Sequence, residues 1–184
     1  GRIYFGDQDV KSIPTSQLMK HVAYVAQDNF LFDTSIRENL KIAKADATDE
    51  EIQAALKASN CLELIERLPE GLNSNAGDCG KFLSGGERQR ITLARAMLAD
   101  AQCIILDEAT AYADVENEAK IQEALSRLMK DKTLIVVAHR LNTIVGADQI
   151  MVLGHGKIES IGTHKELIQN SSAYQKLWQS YSGK

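Results

Sequence analysis

The stretch from Leu83 to His139 constrains the fold most, because it alternates a capped helix, an apolar run, a second helix and a second apolar run. Ser84 and Glu87 have the spacing of a capping box, ahead of Ile91, Ala94 and Leu98 at helical intervals. The helix they open feeds Cys103-Ile-Ile-Leu106, which reads as a buried strand with Asp107-Glu108 at its carboxyl end. Asp114 then reads as the N-cap of a helix through Met129, with Ile121, Leu125 and Leu128 on one face. Leu134 to Ala138 gives another strand, ending at His139. Strand, helix and strand repeating in this order predict an α/β fold built on a parallel sheet.

The flanking segments fill in the organisation. Arg2 to Phe5 and Val22 to Ala26 are β-like, the first ending in a Gly6-Asp7 turn. Thr48 and Glu51 form a capping box ahead of Ile52, Ala55 and Leu56, and a further helical stretch carrying Leu62, Ile65 and Leu68 stops at Pro69. Asn73 to Lys81 reads as a loop. Gln149 to Leu153 and Lys157 to Ile161 flank a Gly154-His155-Gly156 turn as a hairpin, and Thr163 with Glu166 caps a terminal helix. The expected division is an α/β core over residues 1–33 and 101–184, with a helical subdomain inserted at about 34–100.

Composition narrows the class. With 44% hydrophobic and 25% charged residues the chain is neither disordered nor collagen-like. Its longest apolar runs, Val22–Ala26 and Leu134–Ala138, are five residues, whereas a spanning helix needs about 20. A net charge of −4 gives no broad footprint for nucleic acid. Cys61, Cys79 and Cys103 are too widely spaced for a disulfide framework or zinc site, so a reducing, intracellular compartment is expected. Gly1-Arg-Ile-Tyr-Phe reads as a strand without a leader, as if the chain began inside a larger unit.

Three polar elements fall at strand ends, where open parallel sheets bind ligands: Gln27, Asp107 with Glu108, and His139. A strand-end carboxylate suits Mg²⁺, and an adjacent one can orient or deprotonate water. Ser84-Gly85-Gly86 adds a helix N-terminus whose backbone N–H groups can approach a phosphate closely. Singly, each is more often a cap, turn or surface residue. Their serial placement on strand ends and a helix start points to phosphoryl transfer to water.

Leu83-Ser-Gly-Gly-Glu-Arg-Gln-Arg90 resembles the signature motif of ATP-binding cassette ATPases, and Cys103-Ile-Ile-Leu-Asp-Glu108 resembles their Walker B strand. Gln27 falls at the Q-loop, Ala111-Tyr-Ala-Asp114 at the D-loop and His139 at the switch position. The resemblance runs from Gly1 to the last helix. It implies a P-loop NTPase (RecA-like) core, with ATP and Mg²⁺ as cofactors. In it Asp107 helps hold Mg²⁺ through water, Glu108 is the general base, Gln27 senses Mg²⁺ and the attacking water, and His139 contacts the γ-phosphate. Ser84, Gly85, Gly86 and Glu87 belong to the signature that meets ATP bound to a second cassette, head to tail, with Asp114 in the dimer contact. The partner is a second copy or a different cassette.

Asn75-Ala-Gly-Asp-Cys-Gly80 looks like the loop by which exporter-type cassettes touch the coupling helices of transmembrane domains, which implies a place on the cytoplasmic face of the cell membrane. Gln27 and Ser84 are only 57 positions apart, which leaves no room for the long coiled coil of DNA-repair cassettes. Ala111 and Tyr112 depart from the usual Ser-Ala of the D-loop, and Cys79 stands where a basic residue is common. The P-loop pattern Gly-x-x-x-x-Gly-Lys-Ser/Thr does not occur in these 184 residues. The chain is therefore expected to be a cassette cut after its first helix, exposing apolar sheet surface and inactive alone. The alternative is a non-catalytic module that presents its signature to a complete partner.

Overall fold

The computed structural model describes residues 1–107, 115–138 and 141–182. Tyr4–Phe5 (β1) pairs antiparallel with Gln8–Asp9 (β2) across Gly6, whose φ of +59° suits the turn. A short helix, Thr15–Leu18 (α1), leads into Val22–Val25 (β3). Ile36–Lys41 (α2), Asp49–Ala58 (α3) and Leu62–Arg67 (α4) follow. Gly85–Ala99 (α5) then feeds Cys103–Asp107 (β4), Val115–Met129 (α6) and Thr133–Val137 (β5). The chain is described through Ile150–Gly154 (β6), Lys157–Gly162 (β7), His164–Asn170 (α7) and Ser172–Ser182 (α8).

The central sheet has the order β3-β4-β5, and β3 pairs parallel with β4 with Val25 opposite Leu106. Alternation along these strands sorts their faces. Ala23, Val25, Ile104 and Leu106 point into a core shared with Leu93 of α5 and Ile121, Ala124 and Leu125 of α6. The opposite face of β3 is open, with Tyr24 54% exposed, and along β5 Ile135, Val136 and Val137 are exposed in succession. A second core gathers the helices, where Leu31, Ile36, Leu40, Ile52, Leu56 and Ile91 are fully buried. Helix α5 serves both cores, presenting Ile91, Ala94 and Leu98 to the helices and Leu93 and Ala96 to the sheet.

By contacts the chain divides into residues 1–135 and 136–184. The second unit is the β6–β7 hairpin, turned by His155 and Gly156 at φ +51° and +73°, with α7 and α8 on one face. Ile150, Val152, Leu167 and Tyr174 form its core, and the Tyr174 hydroxyl lies 2.8 Å from His164 Nδ1.

The cysteines differ in access. Cys61 and Cys103 are buried, and burial pushes the Cys61 thiol up to about 11 and raises that of Cys103. Cys79 is exposed, its thiol raised by desolvation and by neighbouring Asp78. A colorimetric thiol reagent at pH 8 is expected to modify Cys79 in the folded chain, and Cys61 and Cys103 only after denaturant is added. Rapid native labelling of more than one thiol would contradict this packing.

Candidate functional site

β3 and β4 are parallel neighbours about 4.8 Å apart, so their carboxyl ends lie side by side. Asp107 is the last residue of β4, and Gln27 follows β3 by two residues. The fold thus brings Gln27 and Asp107 to adjacent strand ends, and both are half-buried. The Tyr24 hydroxyl donates to Asp107 Oδ2 at 2.9 Å. That bond, then desolvation and the negative charge beside it, raises the Tyr24 phenol above its ordinary range. The phenol is therefore protonated near neutral pH and can act only as a donor to the carboxylate.

The segment after Gln27 is tied down by polar contacts the sequence does not advertise. Asn39, fully buried in α2, accepts from the Phe32 N–H at 2.8 Å and donates to the Phe32 and Ser35 carbonyls at 3.0 and 3.1 Å. Arg95 of α5 donates to Asn39 Oδ1 and to the Phe30 carbonyl. Thr92, also of α5, donates to Asn29 Oδ1 at 3.0 Å. Asn39 shares a face with Ile36 and Leu40. An amide among core-facing positions was the one available signal for it, because an unpaired polar group there would cost about 1–3 kcal/mol.

Ser84 caps α5 as its sequence implies. Its hydroxyl accepts from the Glu87 N–H at 3.3 Å while Glu87 Oε2 accepts from the Ser84 N–H at 2.8 Å. Ser84 is exposed, Gly85 half-exposed and Gly86 buried in the first turn. Burial disfavours ionised Glu87, but the Ser84 backbone and side chain together with Arg67, its ion-pair partner, hold the carboxyl below the usual range. Glu87 is thus committed to the cap and to Arg67.

The Asn75–Gly80 loop folds onto the same helix. Gly80, at φ +73°, lies so close to α5 that an added Cβ would sit 2.7 Å from Arg88 Cδ and 3.2 Å from Leu31 Cδ1. The Ala76 N–H donates to the Thr34 carbonyl at 2.9 Å, joining this loop to the segment after Gln27. Phe30, Phe32 and Phe82 stand exposed near these connections, the first two edge to face at 5.0 Å. Glu108, Asp114 and His139 lie outside the described residues.

A sequence profile described as ABC transporter matches residues 1–111. The chain belongs to the ABC transporter family. It is 44% identical over 180 residues to the uncharacterized ABC transporter ATP-binding protein YfiC of Bacillus subtilis, covering 98% of this chain and 30% of that protein. It is 44% identical over 183 residues to the mycobactin import ATP-binding/permease protein IrtA of Mycobacterium tuberculosis, covering all of this chain and 21% of that one. It is similar to the solved structure of a bacterial Atm1-family ABC exporter with ATP bound, with TM-score 0.91 and 32% identity, covering all of this chain and 32% of that one. The chain therefore has the nucleotide-binding-domain fold of the family and spans between a fifth and a third of these relatives' lengths. Among the described residues no helix is long and apolar enough to cross a membrane.

Proposed function

We propose that this chain is the signature-bearing part of an exporter-type ABC transporter ATPase, in which ATP hydrolysis drives substrate across a membrane. The observation that carries this reading is the placement of Gln27 and Asp107 on adjacent parallel strand ends, with α5 tying the Gln27 segment to a helix start capped by Ser84. The division offered is an α/β core over 1–33 and 101–184 with a helical subdomain at about 34–100.

Asp107 and Gln27 offer a carboxylate and an amide oxygen, donors that fit a hard dication. Among the described residues no cluster of three or more His, Cys, Asp or Glu is gathered. Mg²⁺ fits so small a donor set because it usually keeps several waters and is held by one or two carboxylates together with substrate phosphates. When bound, Mg²⁺ would neutralise charge on the phosphates. Glu108 takes the proton of the attacking water, His139 meets the γ-phosphate, and Gln27 orients the water. Ser84, Gly85 and Gly86 meet ATP held by a second cassette, with Asp114 in that contact, and the Asn75–Gly80 loop touches the coupling helices. The site would work at the cytoplasmic face of the membrane.

The test is ATP hydrolysis by the full-length gene product reconstituted in liposomes. Phosphate release that requires Mg²⁺ and stops on chelation is expected. A folded full-length product that binds no ATP, yet supports hydrolysis by a partner cassette, would make the chain a presenting module instead.

A further inference from the structure

The Tyr24 ring lies on the open face of the central sheet, on the side away from the core of Ala23 and Val25. What the residue contributes is an O–H. Tyr24 lies opposite Ile105 in the parallel pair, and Asp107 lies two residues further along β4 on the same face. The phenol spans that diagonal and donates to Oδ2 at 2.9 Å.

A carboxylate at a strand end rotates readily about its terminal torsion, which has broad minima. A donor on one oxygen restricts that rotation and leaves the remaining lone pairs in a defined orientation. Partners of this kind orient metal-ligating groups, and losing one typically weakens metal binding by about 10- to 100-fold. We propose that Tyr24 is a positioning residue that holds the Asp107 carboxylate oriented for the cation of a metal–nucleotide complex. This rests on the reading that Asp107 helps hold Mg²⁺, through water.

The experiment uses the full-length gene product with a non-hydrolysable ATP analogue, and Mn²⁺ as a paramagnetic probe titrated by electron paramagnetic resonance. Tyr24→Phe keeps the ring and removes only the hydroxyl, so folding is retained and thermal unfolding checks it. Mn²⁺ affinity in the ternary complex is expected to fall roughly tenfold, with analogue affinity in EDTA unchanged. Asp107→Asn is measured alongside and is expected to lose more. If Asp107→Asn weakens Mn²⁺ binding and Tyr24→Phe stays within about twofold of the unaltered protein, the positioning role is overturned while the ligand reading stands. If Asp107→Asn also binds Mn²⁺ normally, Asp107 does not help hold the cation and both readings fall.

Discussion

Replacing Ser84 with aspartate is expected to abolish ATP-dependent pairing of cassettes and hydrolysis in the full-length gene product while leaving the fold intact. The two effects separate because aspartate caps a helix about as well as serine. A carboxylate at the start of α5 also complements the helix dipole, which contributes roughly 0.3–1 kcal/mol. Near a phosphate, the same charge is unfavourable. At about 4 Å and an effective dielectric of about 20, two like charges repel by roughly 4 kcal/mol, or about three orders of magnitude in association. Ser84→Ala is the matched control: it loses the cap, about 1 kcal/mol, without adding charge. Thermal unfolding and ATPase rates of the two variants give opposite orders, aspartate more stable and alanine more active. Wild-type hydrolysis by Ser84→Asp would remove the signature surface from the mechanism.

Three helix starts were legible in the sequence, while α2, capped by Ser35, was not anticipated. Thr48 with Glu51, Ser84 with Glu87 and Thr163 with Glu166 all close their capping boxes in both directions. Each is decided by four consecutive residues, so no distant part of the chain can overrule it easily. The apolar runs at Val22 and Cys103 became the parallel pair whose ends carry Gln27 and Asp107. At the amino end the expected Arg2–Phe5 strand is shorter, only Tyr4 and Phe5 pairing across the Gly6 turn, because a two-residue hairpin arm has few partners to extend it.

The contacts that shape the site were not legible. The bond from Tyr24 to Asp107 joins residues 83 apart, and that from Thr92 to Asn29 joins residues 63 apart. Hydrophobic periodicity records which face of an element is buried. It carries no information on which polar atom meets which across the fold. Asn39 shows the boundary: its core-facing position is visible in the spacing of α2, but its four-way clamp on residues 32–35 and Arg95 emerges only when the loop is folded over it. Roles for Glu108, Asp114 and His139 come from the resemblance to a known family and not from periodicity or spacing.

The most direct measurement of the central claim compares the full-length gene product with its Glu108→Gln variant, reading ATP binding and hydrolysis together. A general base contributes about 10²- to 10⁴-fold, and glutamine keeps the shape of the side chain while losing the ability to take a proton. Hydrolysis is expected to fall by at least about a hundredfold, with ATP bound as tightly as before and two chains held together around it. A variant that hydrolyses ATP at the unaltered rate would contradict the assignment of Glu108 and with it the catalytic reading of this chain.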